Sequence, residues 1–201
     1  MGLITLVEKC ILKFSECLYE KTFIKLQSKS RNLFMKEFFI YNNSTKKKVD
    51  DKLLESNDIR IYSVNSHIMR EQINFILQQH PQHTINRVCI LVRKKKDETK
   101  KDLDTLNSEV DLWRKMRNNG KIAQLDIRFY KSDIDIYFTI LGDSMCLLGT
   151  VRKNKDMPTQ TEVSFNPAVF TSQGENGKKV INSLIEKFDE LWTNNENNTF
   201  L

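Results

Sequence analysis

Apolar residues recur through the first forty positions at Leu3, Ile4, Val7, Cys10, Ile11, Phe14, Cys17 and Leu18, then at Phe23, Ile24, Leu26, Leu33, Phe34, Phe38 and Phe39. The early spacing of i, i+3, i+4 and i+7, with Glu8, Lys9, Lys13, Glu16 and Glu20 between, predicts one long amphipathic helix or a helix pair over residues 1–42. The following stretch, NNSTKKKVDDKLLESND, is polar and reads as a linker over 43–58, with one short helical turn around Leu53-Leu54.

From Ile59 the period changes. Ile59 to Val64 reads as a short strand, and Asn65-Ser66 can cap a helix that runs through Met69, Ile73, Ile76 and Leu77 to His80-Pro81. RVCILV, Arg87 to Val92, is a continuous apolar run, the mark of a strand buried on both faces. A second helix is expected from Leu103 to Met116, stopped by Asn118-Asn119-Gly120. Leu125 to Tyr130 makes a third strand, and DIDIYFTILGDSMCLLGT makes a hairpin turning at Gly142-Asp143. Glu162 to Phe165 is a short strand, and Lys178 to Trp192 a last amphipathic helix. The alternation predicts an α/β domain over 59–193, a mixed sheet flanked by helices, with a flexible tail at 194–201.

Composition narrows this picture in three ways. With 201 residues, 39% of them hydrophobic and 29% charged, the chain can bury one sizeable core. The net charge is +6, but Lys46-Lys47-Lys48, Arg93-Lys94-Lys95-Lys96 and Lys100-Lys101 each adjoin Asp or Glu. Solvated loop charge accounts for them before a nucleic-acid stripe does, although a nucleic acid or an anionic membrane stays admissible as a partner. Cys10, Cys17, Cys89 and Cys146 show no Cys-x-x-Cys spacing, so reduced thiols and a cytoplasmic setting are expected. Glu8, Lys9 and Lys13 interrupt any signal-peptide core, and no apolar run is long enough to span a membrane.

Candidate chemistry is sparse. His80 and His83 form a His-x-x-His at a helix end with no third ligand in sequence reach, which reads as capping rather than a metal site. His67 falls in the first turn of a helix, where it can face the carboxyl edge of an open α/β sheet. There is no Gly-rich phosphate loop and no nucleophile elbow, and neither a metal nor a cofactor is expected.

The order of elements, together with Ser63 and Asn65, RVCILV, LDIRFY, the Gly142-Asp143 hairpin, Gly149-Thr150, Glu162 and the closing FDELW, resembles one half of the phospholipase D superfamily. The resemblance spans Ile59 to Trp192. Active members of that superfamily carry His-x-Lys-x-x-x-x-Asp on the first hairpin strand. With Asp143 in the Asp place, Ile136 stands for the His and Phe138 for the Lys, so neither nucleophile nor phosphate-binding cation is present. The small residue pair after the hairpin becomes Gly149-Thr150-Val151-Arg152, which leaves Thr150 and Arg152 as phosphate-binding candidates beside Arg128 and Lys131.

What the resemblance implies is a catalytically inactive phospholipase D-like domain. It would serve binding or assembly, taking a phosphate-bearing ligand, nucleic acid or a partner protein, as in a microbial regulatory or defence component. It also implies a homodimer, with Ile136 and Phe138 as an apolar contact face and Leu3, Val7, Ile11, Phe14 and Leu18 as a second interface for a twin or another protein. His67 and Asp143 are the weak catalytic candidates. One alternative is a phosphodiesterase or nuclease whose catalytic groups have moved to His67, Arg128 and Lys131. Another is a peripheral membrane adaptor that uses the N-terminal helix.

Overall fold

The structure is a computed structural model and describes residues 38–63, 66–93, 100–130, 136–153, 161–163 and 167–195. In chain order the elements are β1 (Phe38–Ile40), α1 (Lys46–Glu55), β2 (Asp58–Ser63), α2 (His67–Gln79), β3 (Ile85–Arg93), α3 (Lys100–Asn118), β4 (Ile122–Tyr130), β5 (Ile136–Leu141), β6 (Met145–Lys153), β7 (Thr161–Val163), β8 (Ala168–Thr171) and α4 (Glu175–Asn194). The strands form one mixed sheet in the order β1-β8-β6-β5-β2-β3-β4, with β7 paired to β6 beside this path. Strands β2, β3 and β4 run parallel, and the remaining pairings are antiparallel. The α/β class expected from the alternation is therefore present.

Strand β3 shows why the sheet is covered on both sides. Val88, Ile90 and Val92 point into a core shared with Val49 and Leu53 of α1, Ile73, Ile76 and Leu77 of α2, and Val110, Trp113 and Met116 of α3. Their neighbours Cys89 and Leu91 point the other way, into a second core closed by Ile181, Leu184 and Phe188 of α4. The period of two that sends successive side chains to opposite faces makes both neighbours apolar, hence the unbroken run.

Local signals set several boundaries. Helix α3 ends in a Schellman motif: the Gly120 N–H donates to the Arg117 carbonyl at 2.9 Å and the Lys121 N–H to the Met116 carbonyl at 3.0 Å. Gly120 supplies the positive φ of 73° this geometry requires. At the hairpin, Gly142 has φ 60°, and its N–H donates to the Asp58 carbonyl at 2.8 Å. The β5–β6 turn is thereby tied to the start of β2.

The N-terminal boundary differs from expectation. Phe38–Ile40, read as the end of a helical extension, is strand β1, which pairs with β8 at the sheet edge; residues 1–37 lie outside the described residues. The stretch read as a linker is helix α1. Only Val49 and Leu53 of its ten residues are fully inside, at 0% exposure each, so too few apolar positions recur to signal a helix. Its outer face carries Lys47–Asp51 at 2.8 Å and Lys46–Asp50 at 3.6 Å, both i, i+4 pairs. Asn42 organises the entry, its Oδ1 accepting from the Ser44 N–H at 2.9 Å. Because α1 belongs to the core, Leu53→Ala is expected to lower the unfolding free energy by at least about 2 kcal/mol in urea titration. A leucine on a linker would cost nothing measurable. Strand β8 was missed in the sequence, since its four residues follow a polar loop without alternation.

Among the described residues no helix is long and apolar enough to cross a membrane.

Candidate functional site at the carboxyl edge

Parallel pairing brings the ends of β2, β3 and β4, Ser63, Arg93 and Tyr130, to one edge of the sheet. Strand β5 begins at the same edge, because it runs antiparallel to β2 with Phe138 opposite Tyr62. Ligands of open α/β sheets bind at such an edge. Helix α2 starts there, and its first turn meets α3 in a polar network.

Trp113 Nε1 donates to Ser66 Oγ at 2.9 Å, and Ser66 Oγ donates to Glu109 Oε1 at 3.4 Å. Arg70 Nε donates to the same carboxylate oxygen at 2.9 Å. The other arm of Arg70 reaches Glu71 Oε1 at 2.8 Å and His67 Nδ1 at 3.0 Å. Arg70 and Glu109 are enclosed, their side chains 6% and 12% exposed, whereas His67 is about half in solvent. Ser66 precedes α2 as expected of a cap, yet makes no capping hydrogen bond. Trp113 and Glu109 claim its hydroxyl instead.

His67 Nδ1 also lies 3.6 Å from Glu109 Oε2, but it cannot both accept from Arg70 and donate to Glu109. The shorter Arg70 contact takes precedence, which makes Nδ1 the acceptor of an Arg70 N–H.

The network contains one residue that the sequence singled out, His67. Thr150 and Ile136 are paired neighbours at the same edge, on β6 and β5. Asp143 occupies the exposed turn at the opposite edge, one strand length or roughly 20 Å away, so His67 and Asp143 cannot share a site. Arg128 is committed to structure: its Nη1 donates to the Trp192 carbonyl at 2.7 Å and its guanidinium stacks 4.2 Å from the Trp192 ring. This bond and the stacking hold one arm of Arg128 against the last turn of α4. Phe138, expected on a contact face, is 1% exposed and stacks on Tyr62 at 4.8 Å, and Ile136 packs against the same core. The hairpin face that was to meet a twin is filled by α4. Lys131, the Arg152 side chain, and Leu3, Val7, Ile11, Phe14 and Leu18 lie outside the described residues.

Arg70, Glu109 and Trp113 were not singled out in the sequence. Their signal was available: Ser66, His67 and Arg70 span one helical turn, and Glu109 and Trp113 are i, i+4 on one helix face.

Hydrolysis of a phosphate ester requires a nucleophile, either a reactive side chain or a water activated by metal ligands. Among the described residues no three of His, Cys, Asp and Glu come together to hold a metal ion. Cys89 and Cys146 are buried thiols; burial pushes each up to about 12, so neither is a thiolate at neutral pH. Among the described residues, then, neither a thiolate nor a cluster of metal ligands is in place.

Comparison with known families corrects the phospholipase D resemblance. The model of the protein phosphatase 2C family matches residues 19–166. That family has a different fold from the phospholipase D superfamily, and with it fall the inactive phospholipase D-like binding module, the displaced phosphodiesterase or nuclease and the membrane adaptor. The resemblance rested on alternating strands and helices, which many unrelated families share. No curated protein matches the chain.

Proposed function

The chain belongs to the protein phosphatase 2C family, and from that premise we propose that it recognises phosphorylated protein without hydrolysing it. The family match carries the phosphoprotein half of this reading. The described residues at the carboxyl edge support the other half: the half-exposed His67 has its Nδ1 engaged by Arg70 at 3.0 Å, and both described thiols are protonated at neutral pH. Among the described residues the edge has polar groups that can meet phosphoryl oxygens and none in place to attack phosphorus. The proposal places the protein in the cytoplasm, where buried thiols persist in reduced form.

The test pairs a binding assay with a release assay. Phosphoserine and phosphothreonine peptides are titrated by fluorescence anisotropy against their unphosphorylated forms, and free phosphate is measured in the presence of divalent cations. The phosphorylated peptides are expected to bind about tenfold tighter, a difference of about 1.4 kcal/mol, with no release above the blank. Equal affinities sink the recognition reading, and catalytic release of phosphate sinks the non-hydrolysing one.

A further inference from the structure

Among the described residues the large apolar side chains most open to solvent are Ile68 and Phe75 of α2, 49% and 48% exposed, and Leu103 and Leu112 of α3. The outer face of a helix that packs on a sheet is ordinarily polar, and apolar side chains grouped there mark an interaction surface. Ile68 and Phe75 are two turns apart and share one face of α2, turned away from the buried Ile73, Ile76 and Leu77. Leu112 follows Glu109 by one turn, on the flank of α3 that meets α2 through the Arg70–Glu109 pair at 2.9 Å. Leu103 stands half a turn round from Leu112 and is not part of this strip.

The chain itself carries a segment that fits. Leu3, Val7, Ile11, Phe14 and Leu18 recur at helical spacing, a stripe about 22 Å long as a helix, against about 20 Å for α2. Residues 1–37 lie ahead of β1, outside the described residues, and they join the fold beside α2. Tyr41, next after β1, accepts at its Oη from Gln72 Nε2 at 3.1 Å, and Lys46 Nζ stands 4.8 Å over the Phe75 ring. Residues 19–37 can span up to about 60 Å, ample for the stripe to reach α2. Covalent attachment favours it over a second copy at micromolar concentration. Glu71, 54% exposed, falls between Ile68 and Phe75 on the strip, which suits a segment bearing Lys9 and Lys13 better than an anionic lipid surface. We propose that the N-terminal stripe from Leu3 to Leu18 docks as a helix along the strip made by Ile68, Phe75 and Leu112. The contact is independent of phosphoprotein recognition.

The experiment follows the thiols of the full chain. Cys10 and Cys17 belong to the apolar side of the segment. Cys89 and Cys146 are buried, and burial pushes both up to about 12, so maleimide labelling read by peptide mass reports the segment. At micromolar protein, Cys10 and Cys17 are expected to label about tenfold more slowly in the wild type than in Ile68→Asp/Phe75→Asp or in Phe14→Asp. Amide exchange supplies a readout that leaves α2 unaltered: Phe14→Asp is expected to quicken exchange between Ile68 and Phe75. Equal labelling in the wild type and both variants overturns the inference, as does exchange in α2 that Phe14→Asp leaves unchanged. Protection that Phe14→Asp removes but the α2 variant keeps places the stripe elsewhere and overturns it too. So does protection that fades on dilution, which means a second copy, or that arises only with anionic vesicles, which means lipid.

Discussion

Trp113→Ala is expected to lower the unfolding free energy by about 4 kcal/mol, the largest effect of any single change at the carboxyl edge. Trp113 is 1% exposed and belongs to the core shared by the sheet with α1, α2 and α3. Truncation removes the ring's dispersion contacts, opens a cavity, and withdraws the indole donor that occupies Ser66 Oγ at 2.9 Å. Two of these losses concern volume and one concerns a hydrogen bond, and they separate experimentally. Trp113→Phe keeps most of the volume and drops the donor, and should cost about 1–2 kcal/mol. Chemical denaturation of both variants, with unchanged slopes, gives the comparison. A loss for the alanine variant no larger than for phenylalanine would mean that the interior around α3 collapses onto the gap.

Removing the carboxylate beside that tryptophan should be nearly as damaging, for an electrostatic reason. Glu109→Ala leaves the enclosed guanidinium of Arg70 with Glu71, whose side chain is 54% exposed, as its one remaining carboxylate among the described residues. A buried charge deprived of its partner costs about 3 kcal/mol. The same reasoning predicts recovery in Arg70→Met/Glu109→Leu, where no charge remains to be solvated, and the double variant should lie within about 1 kcal/mol of the wild type. If the two single losses simply add, the pair is not coupled and the assignment of Arg70 to Glu109 fails. The double variant also frees His67 Nδ1 from its 3.0 Å contact with Arg70, so phosphopeptide affinity measured beside stability reports whether that orientation matters for binding.

The α/β class was legible because its signals are local and repeated. The unbroken apolar run of β3, the Asn-Asn-Gly stop of α3 and the Gly-Asp turn of the hairpin each announce one element through a rule that tertiary packing does not override. Helix α1 was illegible for the converse reason: two inward residues, Val49 and Leu53, fall below any periodic signal, and their burial depends on a sheet formed elsewhere in the chain. The site followed the same division. His67 was visible as a histidine in the first turn of a helix that leaves the carboxyl edge. The partners that fix its tautomer come from Arg70 one turn on and from Glu109 more than one element away, and no sequence window joins them. Phe138 was read as a contact residue from its place on the hairpin, while α4 covers it, and Arg128, half-buried, lies against Trp192. Family identity was least legible, since strand and helix alternation constrains the class of fold and leaves membership open.

The sheet order also dictates a schedule of assembly. Within the segment from β2 to β4 each strand pairs with the next one in the chain, each crossover closing a modest loop, so these pairings can form as soon as the segment is available. Strand β1 is the first described strand and finds its only partner in β8, where Phe38 meets Phe170. Nearly all the described chain lies between these two residues. On a ribosome, β1 emerges before the other described strands and waits until β8 has been made, its pairing edge open in the meantime. The described strand made earliest is thus among the last to be paired.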